Sequence, residues 1–478
     1  MKPPKNEKKL IMDLSGVPKK STDFWGYRTD SPSQEGVCII TLGCPKNIAD
    51  SGVLGERLLE AGIPIVESPE KASFIIINTC GFIEDAKRES IEEILRLSAL
   101  KKNGSEVIPI GCLVKRYKKE LQREVPEIRA FFGLNEEEKI IQYIKNKTAA
   151  EAGSPKNQQI FWGAKAGSSK NRQIPPGSAV LPFSSYAYIK ISDGCRRRCT
   201  FCAIPGIKGK YKSTEPEVIL REAEKFLSAG VKELILVGQE ISSYGIDRPG
   251  FPSLNKLLRE LSSIRGDFWI RLLYLHPQSI SDELLEEIAS NKKICKYLDI
   301  PLQHSEDKIL RLMKRAGSKE TYKGLINRIR SLIPDVTLRT TFIVGFPGET
   351  EKDFKGLLDF VKEMEFERLG AFRYSREEGT PAYYLKGQVS QKIKDKRYDE
   401  LMRLQAEISL KKNLSLVGKR MSCLIDEVNE GVGYGRLESQ APEIDGLVII
   451  KGNDLRPGTF REVLIKKAYD YDLEAEAI

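Results

Sequence analysis

The 478-residue chain contains only two histidines, His276 and His304, standing far apart in sequence. That scarcity argues against a histidine-based metal site. No apolar run approaches the ~20 residues that a membrane-spanning helix requires, so no membrane partner is expected. The Lys-rich N-terminus lacks the apolar stretch of a secretory signal. The chain is therefore expected to stay in the cytoplasm, where its nine cysteines serve as metal ligands or buried thiols rather than disulfides. The most informative absence is a fourth cysteine beside Cys195-Arg-Arg-Arg-Cys199-Thr-Phe-Cys202. A structural zinc takes four protein ligands, and a ferredoxin-type cluster is also held by four cysteines. Three thiolates on a four-iron cluster would leave one iron open to bind and activate a small molecule. That points to catalysis.

What is present fits a soluble, globular protein. Hydrophobic residues make up 40% and charged residues 30%, and the length predicts about two to four domains. The net charge is +10, but it is unevenly spread. Residues 418–478 hold 8 Lys and Arg against 12 Asp and Glu, a net of −4, leaving +14 on the rest. An acidic tail thus follows a basic body.

Residues 1–34 show no sustained period and read as a mobile extension. From 35 to 147 the pattern alternates strand and helix. Val37–Leu42, Ser73–Ile77 and Val107–Ile110 are apolar strand runs, each followed by a helical stretch, and together they predict a parallel sheet. Cys44, Cys80 and Cys112 each fall just beyond one of these strands, beside a glycine. Carboxyl ends of parallel strands line one crevice in an open α/β sheet, so the three thiols are expected to converge. Residues 148–182, rich in Lys, Ser, Gly, Ala and Pro, read as a linker.

Six further strand–helix units fill 183–416. Their strands are Ala187–Ile191, Glu233–Val237, Trp269–Leu275, Lys296–Ile300, Thr337–Val344 and Leu369–Tyr374. This predicts a partial barrel of six units, short of the usual eight. From 417 to 478 the helical period vanishes, and Met421–Ile425, Gly446–Lys451 and Glu462–Lys467 predict a small β-barrel. Cys38, Cys295 and Cys423 fall in or beside apolar runs and read as buried thiols.

The CxxxCxxC loop follows the first strand of the six-unit region, with Phe201 just before its last cysteine. In this it resembles the radical S-adenosylmethionine superfamily. The resemblance implies a 4Fe-4S cluster on Cys195, Cys199 and Cys202, whose open iron binds S-adenosylmethionine and yields a 5′-deoxyadenosyl radical on reduction by a flavodoxin-like or ferredoxin-like donor. Gly238-Gln239-Glu240 is similar to the superfamily's GGE motif for the methionine amino group, with Gln in place of the second glycine. Gly345-Phe-Pro-Gly348-Glu349 resembles its GFPGE loop. Phe201, Gly238, Gln239, Glu240, Gly345 and Glu349 are thus the implied cofactor pocket. Read without the family, Pro347-Gly348 is a turn and Glu349 a carboxylate favoured near a helix start.

With Cys44, Cys80 and Cys112 added, the chain from about Val37 to Leu473 resembles the methylthiotransferases. The resemblance implies a second 4Fe-4S cluster on those cysteines, a C–SCH3 product, and a terminal TRAM-like barrel. Leu42-Gly-Cys-Pro-Lys-Asn47, Asn78-Thr-Cys-Gly-Phe-Ile83, Asp299-Ile-Pro-Leu-Gln-His304, Glu377-Glu-Gly-Thr380 and Ala441-Pro-Glu-Ile-Asp-Gly446 resemble the branch acting on an aspartate of small-subunit ribosomal protein S-twelve. Ser51-Gly52 departs from that branch, which carries Ser-Glu. RNA affinity rests on Lys and Arg, so an acidic barrel favours a basic protein partner. The alternatives are methylthiolation of transfer-RNA adenosine and a non-catalytic, metal-containing RNA-binding protein.

Overall fold

The computed structural model describes residues 36–99, 105–152 and 184–478. The extension expected at 1–34 and most of the linker expected at 148–182 lie outside these residues. Strands Gly36–Thr41, Ala72–Thr79 and Glu106–Gly111 form one parallel sheet in sequence order. They are rich in Val and Ile because both faces are covered. Helices Pro45–Glu60 and Glu137–Ala152 pack Leu54, Leu58, Ile140 and Ile144 on one face, while Glu84–Ala99 and Cys112–Glu124 pack Ile94, Leu97, Leu113 and Leu121 on the other. The helix Glu137–Ala152 has no counterpart in the sequence reading and continues past position 148.

Six parallel strands form the central sheet: Tyr186–Lys190, Glu233–Val237, Trp269–Leu272, Ile294–Asp299, Thr337–Val344 and Arg368–Arg373. Each pairs with its neighbour in sequence order, and the first and last do not pair with each other, so the barrel is open on that side. The intervening helices lay Leu257, Leu261, Leu285, Ile326, Leu357 and Val361 against the outside of the sheet. Burial of such side chains contributes about 1.5–3 kcal/mol each.

The chain then crosses helix Gln391–Leu414 into a closed five-stranded barrel. Two of its strands, Val432–Leu437 and Leu473–Ala477, escaped the sequence reading. The first carries Gly433 and Gly435, which weaken the strand signal. The second, Leu-Glu-Ala-Glu-Ala, alternates buried and outward residues but carries two glutamates in five positions. The barrel docks on the central sheet through buried charge. Glu233 accepts from Arg271 of the sheet and Arg436 of the barrel, all nearly inaccessible to solvent. Asp445 of the same barrel reaches the Tyr297 hydroxyl at 2.7 Å.

Candidate active site

The carboxyl ends of the N-terminal strands are level, since Thr41 pairs with Asn78 and Thr79 with Gly111. Cys44, Cys80 and Cys112 follow these ends and come together. At Gly43 (φ +93°), a Cβ would lie 2.6 Å from the Cys80 Cβ and 2.9 Å from its Sγ. At Gly81 a Cβ would lie 2.8 Å from the Leu113 backbone and 2.9 Å from the Cys112 carbonyl carbon. Only glycine permits loops this close.

Buried polar side chains tie the loops. Asn47 donates to the carbonyls of Leu42 (2.7 Å) and Thr79 (3.3 Å). Asn78 donates to the Asn47 carbonyl and to Ser51 Oγ, both at 2.9 Å. Ser51 therefore has a structural use, while at Gly52 nothing stands within 4 Å of where a side chain would begin.

The CxxxCxxC loop occupies the carboxyl end of the first central strand, facing these thiols. Cys112 packs against Ala203 and Ile207, just after Cys202. Arg197 donates its backbone N–H to Cys195 Sγ at 3.4 Å, and Arg315 Nη1 lies 4.0 Å from Cys199 Sγ. Phe201 packs against the cluster of Ile309, Met313, Phe346 and Tyr374. A pocket of about 630 Å³ opens onto Cys199 and Cys202, with Lys115, Arg116, Arg198 and Lys314 among its lining residues.

All nine cysteines are free thiols. Burial pushes Cys80 up to about 11 and Cys112 and Cys202 up to about 12, and raises Cys195 as well. Binding of a thiophilic group would therefore displace protons. Among the described residues, no three His, Cys, Asp or Glu side chains gather to hold a single metal ion. The donor chemistry of both sets, soft sulfur with N–H groups and cations close by, fits an iron–sulfur cluster.

The other expected cofactor residues are not among those lining this pocket. Gln239 Oε1 is buried without a partner. Glu240 already accepts from the Ser242 and Ser243 hydroxyls, each at 2.5 Å, with Arg197 Nε at 3.6 Å. Gly238 packs against Ser192. Glu349 is committed to its own loop. Its Oε2 accepts from Gly345 N (2.7 Å) and Phe346 N (3.1 Å), and Oε1 accepts from Arg397 at 2.9 Å. His304 is fully buried, with Nε2 unpartnered at 3.7 Å from Glu349. Burial first, then Arg315 and Arg197, lowers His276 to about 2, so it is neutral.

Residues the sequence did not single out are joined beside Tyr274. Arg339 binds Asp299 at 3.0 Å, and Asp299 also accepts from Tyr274 N at 3.0 Å. In the sequence, Asp299 and Asp445 are only letters within DIPLQH and APEIDG. Ion pairs clamp the N-terminal body to the central region. Lys208 binds Asp50 at 2.9 Å, Arg116 binds Glu377 at 2.9 Å, and Lys87 binds Glu377 at 3.1 Å.

Comparison with known proteins places this arrangement. Profiles match at 36–133 (Uncharacterized protein family UPF0004), 189–361 (Radical SAM superfamily) and 417–478 (TRAM domain). The fold is also similar to that of TsrM from Kitasatospora setae, a radical S-adenosylmethionine methyltransferase solved with cobalamin and a 4Fe-4S cluster. The TM-score is 0.51 at 14% identity, covering 84% of this chain and 81% of that one. Fold and site thus define a radical S-adenosylmethionine enzyme, a class that implies a 4Fe-4S cluster and S-adenosylmethionine as cofactors.

Two curated relatives are more specific. A ribosomal protein uS12 methylthiotransferase RimO from Thermodesulfovibrio yellowstonii is 50% identical, covering 91% of this chain and 98% of that protein. A second RimO, from Thermoanaerobacter sp., is 47% identical, covering 92% and 100%. The chain belongs to the RimO family of radical S-adenosylmethionine methylthiotransferases, which are sulfur-group transferases. Among the described residues no helix is long and apolar enough to cross a membrane.

Proposed function

We propose that the protein methylthiolates the β-carbon of an aspartate in small-subunit ribosomal protein uS12, in the cytoplasm. The single observation that carries the reading is the meeting of two three-cysteine sets, with Cys112 of one packed against Ala203 and Ile207 of the other's loop. We assign Cys195, Cys199 and Cys202 as ligands of one 4Fe-4S cluster and Cys44, Cys80 and Cys112 as ligands of a second. When bound, these groups and S-adenosylmethionine supply one-electron chemistry and sulfur. The chain's own residues hold and shape the site. The Arg197 N–H and Arg315 face the sulfurs of Cys195 and Cys199, Phe201 packs beside them, and the unpartnered Gln239 Oε1 is an acceptor for the cofactor's ammonium. Gly238 and Glu240 shape that end of the pocket, and Glu349 fixes the loop from Gly345. The units are assigned to 35–147, 183–416 and 417–478, and the reductant is a flavodoxin-like or ferredoxin-like protein.

Mass spectrometry of uS12 and of hydrolysed transfer RNA from a deletion strain tests the substrate. Loss of the methylthio mass from uS12 alone is expected. Loss from the transfer-RNA nucleoside alone would overturn the assignment.

A further inference from the structure

Lys46 follows Cys44 by two positions. It is half-buried, and its Nζ sits 3.6 Å from the centroid of the Tyr274 ring. Its charge is felt by Cys44 and Cys80 of one set and by Cys202 of the other, so both sets lie within its electrostatic reach. Three cations of the central region are already claimed by carboxylates. Lys190 and Lys208 bind Asp50, and Arg339 binds Asp299. Lys46 stands in no such ion pair among the described residues. Asp299, the carboxylate that acts on it, is held by Arg339 and the Tyr274 N–H.

The ring beneath it is placed at a cost. Tyr274 adopts φ +67°, a conformation that costs a non-glycine residue of order 1–3 kcal/mol and that clusters at working sites. Two hydrogen bonds enforce it: Tyr274 N donates to Asp299, and the Tyr274 carbonyl accepts from Ile241 N at 3.2 Å. A cation over an aromatic face keeps its outer side free for an anion. A half-buried ammonium lacking a counter-ion is a ready receptor for a carboxylate.

We propose that Lys46 receives the side-chain carboxylate of the aspartate to be modified, fixing its β-carbon between the two cysteine sets and selecting aspartate over asparagine. This inference rests on the uS12 reading above. A carboxylate is also carried by S-adenosylmethionine, so the test separates the two sources.

Holoenzyme binding to a fluorescent peptide of the uS12 target segment, in Asp and Asn forms, is measured by anisotropy, alongside S-adenosylmethionine affinity. Wild type is expected to prefer the Asp peptide by about tenfold, as befits one charge-assisted contact. Lys46→Met, which keeps the stem over Tyr274, should lose that preference by weakening the Asp peptide alone. Lys46→Arg should keep it, and neither should change cofactor affinity or iron content. An unchanged preference in Lys46→Met, or lost cofactor affinity with the preference intact, would overturn the role given to Lys46. Equal binding of both peptides by wild type would overturn it as well. A wild type that methylthiolates transfer RNA and not uS12 would instead sink the underlying substrate reading.

Discussion

The two cysteine sets are assembled in opposite ways. Cys195, Cys199 and Cys202 lie in one loop, so their proximity is written into consecutive residues. Cys44, Cys80 and Cys112 sit on three loops and meet only because the parallel register sets Thr41 beside Asn78 and Thr79 beside Gly111. The first set survives any disturbance that leaves its loop intact. The second depends on a whole sheet and on the clamps that seat it over the central strands.

The sharpest way to break this comparison is to remove one thiol from each set. Cys199→Ala should abolish both reductive cleavage of S-adenosylmethionine and methylthiolation. Cys44→Ala should keep cleavage and lose methylthiolation, with each variant losing part of its iron. Product analysis by chromatography and mass spectrometry reads both. Equal loss of both activities in the two variants would mean that the sets do not have separate roles.

A smaller effect is expected from loosening the clamp. Glu377 is buried and accepts from Ser375 (2.6 Å) while binding Arg116 and Lys87. Arg116 also donates to the Gly81 carbonyl at 2.6 Å, beside Cys80. Glu377→Gln strands two poorly exposed cations, which typically costs about 3–5 kcal/mol. The variant should melt earlier and lose methylthiolation faster than cofactor cleavage as temperature rises. Unaltered melting would show that the apolar contacts alone seat the N-terminal sheet.

The same contrast explains what was legible in the sequence. Strands buried on both faces, such as Ser73–Ile77 and Thr337–Val344, announce themselves as apolar runs. The CxxxCxxC spacing is equally local. Convergence of Cys44, Cys80 and Cys112 followed from a topological rule, one step removed from the residues. Tertiary pairings were not legible. Nothing in the order of residues says that Lys46 lies over Tyr274, or that Glu240 is already taken by Ser242 and Ser243.

The charge split likewise needed the fold. Asp426 and Asp445 bind Arg436 and the Tyr297 hydroxyl, Glu438 accepts from Lys296 N, and Glu443 from Tyr186 at 2.8 Å. Three of the twelve acids in 418–478, Glu438, Glu443 and Asp445, are thus spent on docking to the central sheet rather than offered to a basic partner. The substrate reading stands on the relatives and the paired cysteine sets instead.

The mildest test addresses the seam between the two regions. Glu222, on helix Pro216–Ser228 of the central region, faces Glu56 of the first N-terminal helix. Burial, reinforced by Glu56, raises its pKa from 4.5 to about 7. The unfolded chain releases this proton near 4.5, while the folded chain holds it until about 7. Its contribution to stability is thus fully present below pH 4.5 and is lost as pH rises to about 7. Glu222→Gln removes that dependence. Discounted for partial solvent screening, the variant should exceed wild type by about 1–2 kcal/mol at pH 8, with the gap closing toward pH 5. Denaturant titrations at both pH values measure it. A gap that stays constant with pH would mean that Glu222 ionises freely and that Lys225, paired with Glu56 at 2.8 Å, already neutralises the seam.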